Sequence, residues 1–479
     1  MFQAQTTRIA AIAVFVCLRV VTSTAWGEDG SGSVGTSRGP DRHGSDPIDL
    51  TVEAEEIVFS DVYSNSGSTP MWCYGNTLIV RLGEEVFVSA TESLPQFKPL
   101  NDCRWVLMKR TLGGWAQQQA DEKGRQREPC LLGCLPPDKL VLSSNPTLLG
   151  PDASGGGPAR PELVVIEAAS PKSPCRSLLP GWNGNPRFNQ HSYRAMGVDA
   201  ERGEVILFQD VGLSHAEWAL LDGDGQWTGG RLNWPPYAPT DLSPYGARHP
   251  RVHYGQVVLQ DRAVHYSGCS AYDNWDRVRT YEDMNLGVVS DGRPPGMVTR
   301  QRGNRSRKLY YTRTDRIGEE PFHEWIEVDN TFADGGWLFP GDMYLDAEGS
   351  VHLLWYRGPM LRTLRDKQYP DIRRVYSIEY ALLREGKVLN RCTLVQAGEG
   401  HDGAVPTDLD RECMPSVGPD GGRIVGAPLA TPRLHLSPHG RLFLVHHVPD
   451  GAALSQNPVL EIDPDGTCPA PAPRPPQTA

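Results

Sequence analysis

Residues 191–230, HSYRAMGVDAERGEVILFQDVGLSHAEWALLDGDGQWTGG, contain short apolar runs separated by polar turns. The apolar runs are residues 195–198, 205–209 and 216–221. A tight turn, Asp222-Gly-Asp-Gly, and Trp227 follow the third run and lead into a fourth segment. Segments of about five residues joined by short polar turns are typical of an antiparallel meander. This stretch therefore predicts one four-stranded antiparallel sheet.

Variants of the same unit recur along the chain. They contain the segments TLIVRLGEEVFVSA, REPCLLGCLPPDKLVLSS, ARHPRVHYGQVVLQDRAVHYSG, GDMYLDAEGSVHLLWYR and TPRLHLSPHGRLFLVHHV. The section 285–330 either completes the fourth unit or forms most of a fifth. Six or seven four-stranded units without helical periodicity predict an all-β protein, a β-propeller of antiparallel blades. We favour seven blades; the alternative, a pair of β-sandwiches, lacks this regular recurrence of turn, strand and Trp.

The two ends of the chain differ from the repeated part. Residues 1–26 have a basic start, an apolar segment and small residues near a cleavage position, which predicts an export signal. Residues 27–48 are Gly/Ser-rich and predict a disordered leader, the propeller occupies 49–467, and 468–479 form a proline-rich tail. Residues 57–63 are the candidate for a strand that closes the ring. We therefore expect a secreted or periplasmic protein of bacterial export.

Composition excludes several classes of function. The net charge of −11 argues against nucleic acid or an anionic membrane as the main partner. No stretch after the signal is long and apolar enough to span a bilayer. The sequence has no P-loop and no H-E-x-x-H. We predict no cofactor and no metal site, and we expect a monomer.

Strand direction in a propeller predicts where a site lies. The start of each innermost strand and the end of the next strand lie on the same rim, because the two run antiparallel. The candidate catalytic residues on this rim are His191, His215, Tyr193 and His249. The candidate substrate-binding residues are Arg194, Arg248, Arg251, Arg127, Glu128, Asp342, Tyr344 and Trp72. Each has an alternative structural explanation, since rim histidines often only complete hydrogen bonds and tryptophans often only pack between blades.

The Asp/Gly-x-Trp turns at 224–227 and 113–115 resemble degenerate repeats of the sialidase-type, BNR-repeat propellers. The chain is also similar in style to propeller polysaccharide lyases of the ulvan-lyase type and to propeller rhamnosidases. This resemblance rests on His191-Ser192 followed by His215, and the His249-Pro250 pair matches the family's Tyr-Pro only loosely. The resemblance implies a propeller fold and a polysaccharide site at the channel mouth.

Three functions stay open on the sequence alone. The first is an enzyme that acts on an acidic polysaccharide, as a lyase or a glycoside hydrolase. The second is a non-catalytic propeller that binds a glycan or a protein, and the third is a structural module of the cell surface. For β-elimination, His191 serves as base or acid with His215 as partner, and Tyr193 or His249 donates a proton. Arg194 and Arg251 hold the uronate carboxylate, but strand alternation lets only one of Tyr193 and Arg194 reach the channel.

Overall fold

The computed structural model describes most of the repeated part of the chain. The described residues are 14–21, 49–61, 75–153, 157–189, 191, 193–212, 214–236, 251–271, 308–331, 333–334, 336–359, 370–400, 430–437, 439–447 and 458–463. Within them every helical or extended element is a β-strand. Two strands, β1 (Val14–Val21) and β2 (Asp49–Ile57), pair antiparallel with each other. The predicted export signal and leader stay predictions, and so does the tail, which lies outside the described residues.

Six sheets follow in chain order, and each is one blade. Blade 1 contains β3 (Ile79–Leu82), β4 (Glu85–Ser93), β5 (Cys103–Thr111) and β6 (Gly114–Ala120). Blade 2 contains β7 (Leu131–Leu135), β8 (Lys139–Ser144), β10 (Glu162–Glu167) and β11 (Arg176–Leu178), while the short β9 (Pro158–Ala159) pairs with β12 (Phe188–Asn189) beside it. Blade 3 contains β13 (Arg194–Asp199), β14 (Glu204–Val211), β15 (His215–Leu221) and β16 (Trp227–Asn233).

The second half of the ring repeats this order. Blade 4 contains β17 (Arg251–Gln260), β18 (Ala263–Ala271), β19 (Lys308–Thr314) and β20 (Ile326–Asn330). Blade 5 contains β21 (Trp337–Leu345), β22 (Ser350–Gly358), β23 (Val375–Arg384) and β24 (Lys387–Gly398). Blade 6 has three described strands, β25 (Ala430–Leu436), β26 (Leu442–His447) and β27 (Val459–Ile462). All neighbours within a blade are antiparallel, and the first strands of successive blades contact one another around the central axis.

The prediction of an all-β propeller is confirmed, with six blades rather than the favoured seven. The difference comes from the section whose assignment the sequence left open. Strand β18 pairs directly with β19 from Val264↔Thr314 to Cys269↔Leu309. Residues 272–307 are therefore an insertion between the second and third strands of blade 4, and 308–330 complete that blade instead of starting another.

Alternation along the strands explains the dense apolar runs. In β8, Leu140 and Leu142 pack with Phe87 and Leu107 of blade 1, whereas Val141 packs with Val205 and Leu207 of blade 3. Successive side chains of a strand point to opposite faces. A blade that lies between two neighbours therefore needs apolar residues at both the odd and the even positions of its strands. Similar buried clusters join blades 3 to 4, 4 to 5 and 5 to 6.

Of the described residues in the predicted closing strand at 57–63, only Ile57 belongs to a strand, and that strand pairs with β1. Strand β2 ends at Ile57, and residues 58–61 continue without strand pairing, while 62–63 lie outside the described residues. Val58 and Phe59 instead pack against the blade 1 residues Val88, Val106 and Met108. This segment covers the face of blade 1 that points away from blade 2, so its apolar residues are used for packing rather than for a ladder.

Candidate functional site

The rim at the start of the first strands brings together side chains from blades 2, 3 and 4. Glu128 lies three residues before β7, His191 and Tyr193 lie just before β13, and Arg251 is the first residue of β17. They meet because consecutive first strands are neighbours around the axis. The prediction that these segments share a rim is confirmed for this group of four residues, which we call the rim cluster.

A chain of hydrogen bonds runs through the rim cluster. His191 Nδ1 lies 2.6 Å from Glu128 Oε1, and His191 Nε2 lies 3.1 Å from the Tyr193 hydroxyl oxygen. The Glu128 side chain is 7% exposed and that of His191 is 26% exposed, so the imidazole is the member that a ligand can reach. A carboxylate on Nδ1 favours the tautomer with the proton there, which leaves the Nε2 lone pair to accept from the Tyr193 hydroxyl. This arrangement suits proton transfer.

Arg251 lies against the other side of Tyr193. Its guanidinium carbon is 4.6 Å from the centre of the Tyr193 ring, and a terminal nitrogen donates to the His191 backbone oxygen at 3.4 Å. The Arg251 Nε donates to Asp210 Oδ2 at 3.0 Å, and both side chains are buried. A cation at this position stabilises negative charge that develops on the Tyr193 oxygen during proton transfer.

Asp210 is the buried carboxylate beneath the cluster. Burial raises the pKa of Asp210 to about 7, although the charge and hydrogen bond of Arg251 oppose the rise, and the negative charge of Glu128 adds to it. Its backbone N–H donates to the Tyr193 carbonyl at 2.9 Å, which ties the end of β14 to the start of β13. Asp210 thus fixes Arg251 and the Tyr193 backbone at once.

Two aromatic residues of β17 complete the wall behind Tyr193. The Tyr254 hydroxyl is 3.1 Å from the Tyr193 hydroxyl, and the His253 ring centre is 5.2 Å from that of Tyr193. Burial and the charge of Arg251 hold the pKa of His253 well below its usual value, so its ring is neutral. A bulge between His253 and Gln256 turns Tyr254 towards the cluster, with a φ of 52°. Bulges re-aim side chains in this way.

Arg194 supports the cluster from inside the protein. It is 7% exposed, and its guanidinium donates to the backbone oxygens of Ser143, Glu128 and Pro129. Tyr193 and Arg194 lie on opposite sides of the chain, as strand alternation requires. Arg194 therefore positions the Glu128 backbone, a different task from the predicted grip on a substrate carboxylate.

His215 lies on the same rim but further from the axis. It opens β15, the third strand of blade 3, which places it two strand spacings, about 10 Å, outside β13. Its Nδ1 is 2.7 Å from Ser214 Oγ, and its Nε2 is 2.9 Å from Glu217 Oε1. Burial and the charge of Arg231 lower the pKa of His215, against the opposing effect of Glu217. None of the side-chain contacts described for His215 involves His191 or a residue that His191 contacts.

Asp342 and Tyr344 lie away from the rim cluster. The sequence pattern predicted that this strand begins at Gly341, which would place both residues at its start. Strand β21 instead begins four residues earlier, at Trp337, so both residues lie in its second half. Asp342 Oδ2 accepts from the Leu434 N–H and lies 3.3 Å from Arg433, which joins blades 5 and 6. Tyr344 packs on His352 near the hairpin at the opposite rim. Burial raises the pKa of both side chains.

The remaining predicted residues divide into two groups. Arg127 is partly buried next to Glu128. Trp72, Arg248 and His249 lie outside the described residues. Sequence reasoning missed Asp210 and Tyr254, although an aspartate at the end of the buried run ILFQ in β14 is a signal of a paired internal charge.

No three His, Cys, Asp or Glu side chains of the described residues are grouped as metal ligands. The part of the chain that the structure describes contains no helix suited to crossing a membrane.

No family model matches the chain, and no curated protein matches its sequence. Among solved structures it is similar to the polysaccharide lyase Uly1, at 12% identity and a TM-score of 0.39, covering 84% of this chain and 92% of the other. A family PL25 ulvan lyase gives 12% identity, a TM-score of 0.38 and coverages of 80% and 82%. A Penicillium chrysogenum α-L-arabinanase is 10% identical, with a TM-score of 0.36, and the match covers 71% of this chain and 80% of the other. These identities are too low to transfer any residue's role.

Proposed function

We propose that this protein is an exported enzyme that cleaves an acidic polysaccharide by β-elimination at the channel mouth. The observation that carries the proposal is the hydrogen-bonded chain from Glu128 through His191 to Tyr193, with the Arg251 guanidinium against the tyrosine ring. A carboxylate that orients an imidazole, which in turn bonds a hydroxyl, is the arrangement that general acid–base catalysis uses. Here the imidazole is the exposed member.

The proposed reaction balances within these groups. The Tyr193 hydroxyl first turns from His191 Nε2 towards the leaving oxygen, which frees the Nε2 lone pair. His191 Nε2 then takes the proton on the carbon beside the uronate carboxylate, the electron pair forms the new carbon–carbon double bond, and the bond to the leaving oxygen breaks. Tyr193 gives its hydroxyl proton to that oxygen, and His191 returns the abstracted proton to Tyr193 along their hydrogen bond. Glu128 stabilises the imidazolium between these steps, and Arg251 stabilises the tyrosinate. Arg127 is the proposed partner of the uronate carboxylate.

Two features support export as part of the proposal. The first is the predicted signal at residues 1–26, and the second is that Cys392 is disulfide-bonded. Disulfides persist mainly in secreted and periplasmic proteins.

The test is an assay on a panel of uronate-containing polysaccharides that follows the ultraviolet absorbance of the unsaturated uronate product. We expect His191→Ala to lower turnover by about 10²–10⁴-fold with an unchanged fold, the usual contribution of a general acid–base residue. His439→Ala is the matched control, because His439 is an exposed histidine of the β25–β26 turn at the opposite rim. Equal activity of both variants contradicts the acid–base role of His191. A wild-type protein that cleaves no polysaccharide of the panel contradicts the proposed lyase activity.

Glycan binding without cleavage is the second candidate. The observation that favours it is the burial of Tyr193 and Arg251, each about as enclosed as a core residue. A ligand would then contact mainly His191 and the rim around it. Calorimetric binding of a polysaccharide that yields no unsaturated product would select this function over the lyase.

A further inference from the structure

A second concave surface lies between the outer strands of blades 3 and 4. Its volume is about 940 Å³, within the range of small-molecule and oligomer sites. One wall is the end of β16 with residues 232–236, and the other is the segment 317–327 that leads into β20. We call this surface the outer groove. It shares no lining residue with the rim cluster.

Trp325 forms an ordered aromatic platform in the outer groove. Its ring makes edge contacts with Trp234, Tyr310 and Tyr266, at centroid distances of 6.3, 6.2 and 5.9 Å. Its Nε1 donates to the Asn233 backbone oxygen at 2.8 Å. These contacts fix the orientation of the indole, yet the side chain stays partly exposed. A fixed, partly exposed aromatic face costs little conformational entropy when a ligand stacks on it.

The polar groups around the platform match hydroxyl groups. Trp234 is 2% exposed, and its Nε1 has no hydrogen-bond partner among the described residues, although a buried N–H normally has one. Two exposed carboxylates of the groove, Glu320 and Glu324, accept hydrogen bonds. A ligand with several hydroxyls supplies both a donor for the carboxylates and an acceptor for the indole.

The charge of the outer groove disfavours an anionic ligand. Its two strong cations are already engaged, since Lys308 pairs with Glu327 at 3.1 Å and Arg231 pairs with the buried Glu217 at 3.1 Å. Of the lining glutamates, Glu327 is the partner of Lys308, and Glu319 pairs with Arg316 at 3.0 Å. Glu320 and Glu324 therefore give the groove its net negative charge. A uronate would therefore meet net negative charge here.

We propose that the outer groove binds an uncharged oligosaccharide, with one sugar ring stacked on Trp325. The axial C–H groups of a pyranose carry partial positive charge and pack on the negative face of an indole, while its hydroxyls bond to the groove walls. The ligand differs in charge from the acidic substrate of the channel mouth. This inference is independent of the lyase proposal, because the two surfaces use different residues and different charges.

The test titrates cellohexaose, laminarihexaose and mannohexaose into the full chain by calorimetry, with hexagalacturonate as the anionic comparison. We expect at least one neutral hexasaccharide to bind. Trp325→Ala should weaken that binding by about 30-fold or more, the effect of removing a tryptophan anchor. Trp325→Phe keeps a flat ring, so its affinity should lie between those of the wild type and Trp325→Ala.

Trp182→Ala is the matched control, since Trp182 is a partly buried tryptophan that packs on Phe188 outside the groove. It should bind like the wild type, and His191→Ala should also bind like the wild type. Far-ultraviolet circular dichroism checks that each variant is folded. Absence of binding by all three neutral hexasaccharides overturns the proposal, as does unchanged affinity in the folded Trp325→Ala or Trp325→Phe variants.

Discussion

Replacing Arg251 by Met should destabilise the protein in a way that grows with pH. In the wild type, Arg251 and Asp210 form an ion pair whose side chains are 7% and 4% exposed. Removing one partner of a buried pair leaves an uncompensated charge and costs about 3–5 kcal/mol. Asp210 can escape that cost by binding a proton, because burial already raises its pKa to about 7 in the presence of Arg251. The loss of stability should therefore depend on its protonation.

The sign and size follow from proton linkage. A folded-state pKa above the unfolded value of about 3.9 means that the folded protein retains a proton which the unfolded chain releases. The contribution of Asp210 to the free energy of unfolding is greatest below about pH 4, and it falls as the pH rises to the folded-state pKa. In the wild type the decline stops near pH 7, whereas in Arg251→Met the pKa is higher and the decline continues at about 1.4 kcal/mol per pH unit. Relative to wild type, the variant should lose up to about 3 kcal/mol between pH 7 and 9.

Urea unfolding of both proteins at about pH 6, 7, 8 and 9 measures this difference. The double variant Asp210→Asn, Arg251→Met is the control, because it has no charge at either position and its stability relative to wild type should not fall further above pH 7. A difference between wild type and Arg251→Met that is constant or shrinks with rising pH would refute the reasoning. It would mean that Asp210 is not the buried titrating group.

Three further predictions concern other parts of the ring. His215→Ala should change cleavage or glycan binding at the mouth less than about threefold, measured beside His191→Ala, because acid–base effects require contact with the reacting atoms; a loss equal to that of His191→Ala would place His215 in the site. Gly229→Ala should cost about 1–3 kcal/mol in urea unfolding, since the new Cβ would lie 2.4 Å from the Gly181 backbone oxygen, and an unchanged midpoint would contradict this packing. In native thiol labelling, the rates of Cys134 and Cys175 should still rise with pH at about pH 9, because burial raises both pKa values and keeps the thiolate the minor form there; rates that level off below that pH would contradict the raised pKa values.

The propeller itself was predictable from local patterns. Gly225, with a φ of 80°, and the Asp222 carboxylate, which accepts from the N–H groups of residues 224 and 226, form the turn that the sequence Asp-Gly-Asp-Gly predicts. Such turns depend on residues close in the chain, so the sequence carries the information directly. The alternating burial of Leu140, Val141 and Leu142 is encoded in the same local way.

The number of blades could not be predicted from local sequence patterns. Whether β19 pairs with β18 or opens a new blade depends on contacts across the insertion at 272–307. The start of β21 at Trp337 was likewise set by pairing with Gly358 rather than by the apolar run that follows. Register is a property of two strands together, and one strand's pattern does not determine where pairing begins.

The sequence by itself determined which rim most of the candidate residues share, because antiparallel hairpins fix which strand ends meet; Tyr344, near the opposite rim, is the exception. It predicted that Glu128, His191, Tyr193 and Arg251 lie on one side of the ring. Only the tertiary structure decided which of them touch: Glu128 and His191 are 63 positions apart and meet through the angle between blades 2 and 3. His215 is nearer to His191 in sequence, yet two strand spacings outward from it, since each added strand of a blade moves radially away from the axis.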